Sequence, residues 1–293
     1  MTLVQRKELA REALVAALEM RQKTDRPLLE PLCVFDVAAE MEVDVWFKAI
    51  PSLEGMYSKS PGPAIIIGSE RPASRRVYTC AHELGHHVFG HGTQVDELRG
   101  DGAENPAARI PEEFLAQSFA GFLLMPKLAV QNAFATRGWR PAEATAEQIY
   151  RVANVFGVGY RTLIGHLQFG LGLLPSDRAE SLAKIKLKDI RAAILRKETG
   201  RPLIVVDVAW KGRAVDLEVG DLLVGPEGAE SEGGLLRMLS WERQGTLWEP
   251  LTPGLGRLLH PASGWAANVR VARQGFAGRA CFRHIPEAPD DNE

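Results

Sequence analysis

Cys80-Ala81-His82-Glu83-Leu84-Gly85-His86-His87-Val88-Phe89-Gly90 sets two histidines four residues apart, with a glutamate directly after the first. On a helix, positions i and i+4 share a face, about 40° apart in azimuth and roughly 6 Å along the axis. The rings of His82 and His86 can therefore reach one ion. An H-E-x-x-H helix supplies two neutral imidazole ligands and, between them, a carboxylate beside an open coordination position. That carboxylate is Glu83, placed to take a proton from water and pass it to a leaving amine. Gly90 is a helix stop, because glycine tolerates the left-handed conformation after the last turn. The same five-residue pattern also arises on solvated helix faces, so a third ligand has to be found.

A metzincin would place that ligand as a histidine six residues beyond the second one. Position 92 is glycine and the nearby histidine is His91, one residue short and past the helix end. The better candidate lies in the run Pro111 to Met125, a helix opened by one proline and stopped before Pro126. Glu113, Ala116, Gln117 and Ala120 form one stripe of it, and the small side chains would let its backbone come close to the histidine helix. The spacing, 113 − 86 = 27 residues, leaves room for a loop and a returning helix. Glu112 is the main rival as third ligand and Glu104 a more distant one. His87 and His91 are read as surface residues or as residues behind the ligands, and Cys80 as a buried small residue pointing away from the metal.

Leu53-Glu54-Gly55-Met56-Tyr57, Ala64-Ile65-Ile66-Ile67, Arg71-Pro72, Thr79 to His86, Glu113, Phe119-Ala120 and Leu123-Leu124-Met125-Pro126 together resemble the ImmA/IrrE family of metallo-endopeptidases over residues 30 to 130. The resemblance implies a zincin-like α+β peptidase unit with Zn2+ on His82, His86 and Glu113, and Glu83 as general base. Its known members are intracellular, and several cleave a repressor of helix-turn-helix fold, relieving silencing under stress or in mobile elements. The chain departs from the family with Gln117 where asparagine is usual and Cys80 where an aliphatic residue is common. Neither change removes a ligand. A two-histidine, one-carboxylate set also accepts Mn2+ or Fe2+.

Composition narrows the class further. Hydrophobic residues make up 45% and charged residues 25% of 293 positions, as in an ordinary globular protein of two or three domains. A formal net charge of −2 gives no overall basic field to gather nucleic acid. Cys33, Cys80 and Cys281 are odd in number and far apart, which argues against a disulfide framework and for a reducing compartment. With charges every few residues at the N-terminus and no long apolar run, the expected location is cytoplasmic, without membrane association.

In chain order, residues 3 to 23 read as an amphipathic packing helix with Leu9, Ala13, Leu14, Ala17 and Leu18 on its buried face. Residues 35 to 41 suggest a short helix, 43 to 47 a strand, and 64 to 67 a second strand beside it, whose edge could take up an extended peptide. Tyr57 and Tyr78 are candidate oxyanion or substrate contacts, with a core-filling role the plainer alternative. Residues 91 to 110 form a long, polar, Gly-rich connection. Residues 145 to 167 have helix-turn-helix spacing, with Gly157 in the turn and Val152, Ala153, Phe156, Val158 and Leu163 inward. Its second helix offers Arg161, His166 and Gln168 and little else to DNA, so scaffold or protein-contact use is favoured over direct DNA binding. A single helix is expected from Ser176 to Lys197.

From Pro202 the pattern changes to short apolar alternations at 203 to 210, 215 to 219, 268 to 271 and 280 to 285, as in a small β-sandwich or barrel. Trp210, Trp241, Trp248 and Trp265 are expected in its core. The division is then 1–135 zinc metallopeptidase domain, 141–198 helical segment, 200–286 all-β domain and 287–293 disordered acidic tail. The function that fits is a cytoplasmic zinc endopeptidase whose partner is a protein substrate such as a helix-turn-helix repressor. The rival is a transcriptional regulator or protein-binding module that keeps a structural metal site.

Overall fold

The computed structural model describes residues 1–97, 109–242 and 244–286 and has a mixed α+β architecture with three sheets. Its helices are α1 (Leu3–Lys23), α2 (Val34–Glu40), α3 (Ala73–Val88), α4 (Pro111–Leu124), α5 (Lys127–Ala135), α6 (Ala146–Val155), α7 (Tyr160–Gly165), α8 (Ser176–Ala183) and α9 (Leu187–Leu195). The strands are β1 (Asp44–Lys48), β2 (Leu53–Ser58), β3 (Ala64–Gly68), β4 (Gln94–Glu97), β5 (Leu203–Val205), β6 (Ala214–Glu218), β7 (Leu222–Gly225), β8 (Glu230–Glu232), β9 (Leu236–Glu242), β10 (Gly245–Pro250), β11 (Gly254–His260), β12 (Trp265–Ala272) and β13 (Gly278–Arg279). Among the described residues no helix is long and apolar enough to cross a membrane. Residues 98–108 of the polar connection and the acidic tail 287–293 lie outside the described residues.

The N-terminal sheet has the order β13-β1-β3-β2-β4. β1 and β3 pair in parallel, Asp44 opposite Ala64, as two strands expected side by side should. Val45, Phe47, Ile65 and Ile67 are buried while Asp44 and Lys48 are exposed, the period of two that a strand with one face on the core requires. β3 is flanked by β1 and β2 and has no free edge. The expectation that a peptide adds to 64 to 67 is therefore corrected, and the sheet's outer positions are β4 and β13.

α1 starts with a capping box from Thr2 and Gln5 and packs along α4. Its buried positions are Ala13, Ala17, Met20 and Arg21, whereas Leu18 is 37% exposed. A charged side chain is expected on the outer face of an amphipathic helix, yet Arg21 is 1% exposed. The reason lies at the end of α4, whose last carbonyls have no partners within the helix. Arg21 Nε donates to the Leu123 carbonyl at 2.8 Å, and Nη1 donates to the carbonyls of Pro27 at 2.6 Å and Glu30 at 3.1 Å. A cation there also complements the negative end of the helix dipole.

α6 and α7 meet around Gly157, which adopts φ +62 in the turn, and the Val158 N–H donates to the Ala153 carbonyl at 3.1 Å. Val152, Ala153, Phe156, Val158 and Leu163 are all buried, as expected. Of the side chains considered for DNA, His166 points inward: its Nε2 donates to the Met125 carbonyl at 2.9 Å, and its ring fills the space beside Gly121 and Gly170. The single helix expected from 176 to 197 is instead two, α8 and α9, broken at 184 to 186. The break lets α8 pack on α7 and α9 on α6, so that Leu182 and Ile190 are buried against different neighbours.

The C-terminal region holds two four-stranded sheets, β5-β7-β10-β9 and β6-β12-β11-β8. They face each other closely, since a Cβ on Gly225 of the first would stand 2.6 Å from Leu258 Cδ2 of the second. Trp210, Trp248 and Trp265 are buried, but Trp241 is 63% exposed on edge strand β9. Residues 280 to 285 do not form a strand: a 3-10 turn spans Ala280–Phe282. The strand just before it, β13, leaves the sandwich and pairs with β1, Trp46 opposite Arg279. All three cysteines are free thiols, and Cys80 is wholly buried.

Replacing Arg21 with Met keeps the volume and leaves three carbonyls without their donor. The free energy of unfolding should fall by about 2–4 kcal/mol in denaturant titrations. His166 offers a test with pH. Burial, opposed by the Met125 hydrogen bond, pushes its pKa from 6.5 down to about 4. Between those values the unfolded chain takes up a proton that the folded chain refuses. Stability should be intact above pH 6.5 and decline toward pH 4, by about 1.4 kcal/mol per pH unit at most from this residue. His166→Gln should show a shallower acid decline than the parent protein in parallel melts.

Candidate metal centre

α3 and α4 approach each other more closely than ordinary side chains allow. A Cβ on Gly85 would stand 3.0 Å from the Ala116 Cα and 3.2 Å from its carbonyl oxygen. The small stripe expected on α4 thus meets a glycine on α3, and the pair brings the first turn of α4 over the histidines. His82 Nε2 lies 3.1 Å from His86 Nε2, 3.4 Å from Glu113 Oε2 is its other near approach, and His86 Nε2 is 3.6 Å from Glu113 Oε1. Donors at 2.0–2.1 Å from a tetrahedral zinc ion are separated by roughly 3.3–3.5 Å. The donor set and its spacing therefore fit one divalent ion, and the ligand atoms all lie within 4.8 Å of one another.

Glu113 is half-buried and faces the imidazoles, whereas Glu112 is exposed on the neighbouring position. Glu104 lies outside the described residues. Burial, reinforced by the neighbouring His82, pushes the pKa of His86 from 6.5 down to about 4, while Glu113 works in the opposite direction. A neutral ring with a free lone pair is the form that binds a metal.

Glu83 is 0% exposed. Its carboxylate packs against β2: a Cβ on Gly55 would meet Glu83 Oε1 at 2.7 Å and Thr79 Cγ2 at 2.4 Å. Gly55 is thus needed where it stands, a role that its sequence neighbours do not advertise. The hydroxyl of Tyr57 lies 2.9 Å from His87 Nδ1, and that of Tyr78 donates to the Gln117 carbonyl at 3.2 Å. Both phenols have partners within the protein, and burial raises both pKa values, which suits packing. His87 is accordingly a partner of Tyr57 and not a member of the His82, His86, Glu113 group.

The helix bearing the motif is also tied to the C-terminal sheets. Arg76, buried and stacked 5.1 Å from the centre of the Phe47 ring, forms an ion pair with Glu218 at the end of β6. Asp221 Oδ2 accepts from the Glu218 backbone N–H at 2.8 Å, and burial pushes the Asp221 carboxyl up to about 6. Sequence reading missed this contact, because a residue pair 142 positions apart leaves no local signal.

The two histidines of the H-E-x-x-H motif on α3 and the Glu113 carboxylate on α4 form a group that could hold one metal ion. Residues 42–166 match the family model Peptidase M78, described as the IrrE N-terminal-like domain. No curated protein matches the chain. Among solved structures, a Mycobacterium tuberculosis transcriptional regulator is similar at 15% identity and a TM-score of 0.37, over 56% of this chain and 51% of that one. The chain thus spans about half the length of that relative.

Gly85→Ala pushes a methyl group into the α4 backbone. It should lower stability by about 1–3 kcal/mol and weaken divalent-metal binding measured by competition with a chromophoric chelator. Unchanged affinity would show that the helix spacing does not set the site.

Proposed function

We propose that the protein is a cytoplasmic zinc-dependent endopeptidase in which His82, His86 and Glu113 hold the metal and Glu83 is the general base. The observation that carries this reading is the convergence of three side chains from α3 and α4, with the imidazole nitrogens 3.1 Å apart and each within 3.6 Å of a Glu113 carboxylate oxygen. The match of residues 42–166 to a peptidase family supports it. Bound there, a divalent ion supplies Lewis acidity toward a peptide carbonyl and makes a water ligand more acidic. Glu83 would serve as general base, its carboxylate taking a proton from the attacking water and returning it to the leaving amine. Its enclosure against Gly55 and Thr79 holds the carboxylate in place and restricts its access to bulk solvent.

In this reading residues 1–135 form the peptidase unit, while the helical segment 141–198 and the β region 200–286 select the substrate. The substrate class is a helix-turn-helix repressor whose cleavage releases a stress or mobile-element response. Zinc is favoured by the donor set, with Mn2+ or Fe2+ the alternatives. Three free cysteines accord with a reducing compartment.

The test is to incubate the purified chain and zinc with the repressor encoded beside its gene. A discrete fragment should appear, and Glu83→Gln should retain about one equivalent of zinc while its rate falls at least about a hundredfold. A Glu83→Gln protein with full biological activity would replace this reading with that of a regulator keeping a structural metal site.

A further inference from the structure

The end of α3 turns back on the metal site. Gly90 adopts φ +68, its N–H donates to the His87 carbonyl at 3.2 Å, and the His91 N–H donates to the His86 carbonyl at 3.0 Å. This pair of bonds is the Schellman arrangement, in which a left-handed residue after the helix folds the next one back over the last turn. Here the residue folded back is a histidine, and the carbonyl it reaches belongs to a proposed metal ligand. The side chains repeat the contact: His91 Nδ1 lies 2.8 Å from His86 Nδ1, with ring centroids 5.0 Å apart. His91 is held from its other side by Phe89, whose ring lies 5.9 Å away and in turn packs edge-on against Phe119 of α4 at 5.8 Å.

Two imidazole nitrogens at 2.8 Å require one donor and one acceptor. If Nε2 of His86 gives its lone pair to an ion, the proton of the neutral ring sits on Nδ1, and Nδ1 must donate. His91 Nδ1 is then the acceptor, with the His91 proton on Nε2. We propose that His91 is a positioning residue for the metal site, accepting the Nδ1 proton of His86 and so fixing the tautomer and ring orientation that aim Nε2 at the ion. The proposal rests on the metal-binding reading above. A hydrogen-bond acceptor behind a ligating histidine holds the ring and raises its basicity, and losing it typically weakens metal binding by about 10–100-fold. The motif's glycine thus has two effects, ending the helix and bringing up the residue that steadies the second ligand.

The experiment compares the metal-stripped full chain with His91→Leu, His91→Asn and His86→Ala. Zinc affinity is read by chelator competition, and ligand geometry by the absorption bands of bound cobalt(II). Asparagine keeps an acceptor oxygen near the place of Nδ1. His91→Leu should bind zinc about 10–100-fold more weakly than the parent, with His91→Asn returning to within about threefold and keeping the parental cobalt bands. The idea is overturned if His91→Leu binds as tightly as the parent, or if His91→Asn is no tighter than His91→Leu. It is also overturned if His91→Asn loses the cobalt bands as fully as His86→Ala, which would make residue 91 a ligand. Should His91→Leu fail to fold, the comparison of His91→Asn with the parent decides. Failure of the underlying metal reading looks different: the parent takes up no stoichiometric zinc, or His86→Ala binds as well as the parent.

Discussion

Everything at the centre depends on how near two helix backbones can lie. Gly85 against Ala116 sets that distance, and a single methyl group at position 85 would already crowd the α4 main chain. Because the histidines sit on one helix and the carboxylate on the other, the ligand geometry is a property of the helix pair. The interior is close-packed and yields little to local pressure. Small residues at this crossing are therefore part of the chemistry, although none of them touches an ion.

The fixing of α4 extends through the rest of the molecule. Its N-terminal turn presents Glu113, its middle lies on α3, and its final carbonyls are taken by Arg21 from α1 and His166 from the segment after α7. Both capping groups are drawn from outside the helix and are largely withdrawn from water, so the helix is pinned lengthwise as well as sideways. α3 has its own tether in the Arg76 and Glu218 ion pair, which joins the motif helix to the C-terminal sheets. The candidate metal site thus sits where the N-terminal sheet, the helical segment and the β region all bear on two helices.

The parts of this arrangement that could be read in the sequence are those with a short repeat. His82, Glu83 and His86 declare themselves by helical spacing, and β1 and β3 by short β-rich runs. Glu113 is preferred to Glu112 largely through the family resemblance, with the stripe through Ala116 and Ala120 consistent with that choice. Arg21 could not be read in this way, since its burial answers in part to the Leu123 carbonyl, 102 residues away. Gly55 stands among the residues of the family resemblance, but the reason for a glycine there could not be read locally because Glu83 lies on a different element. The break between α8 and α9 has no proline or glycine to announce it, and the packing of each half on a different helix decides it. Trp241 shows the converse: a large apolar residue in an apolar strand, left outside because β9 is at an edge.

One further consequence concerns the order in which the chain is made. On the side away from β3, β1 is covered by β13, where Arg279 pairs with Asp44, and just before it the Phe276 ring lies 6.3 Å from that of Phe47. A ribosome working from the N-terminus exposes β1 long before it reaches that segment. Until then one margin of the sheet is open, and any truncated product that stops short of residue 278 leaves it so. The strand that closes this margin is thus supplied by a segment translated long after the strand it covers.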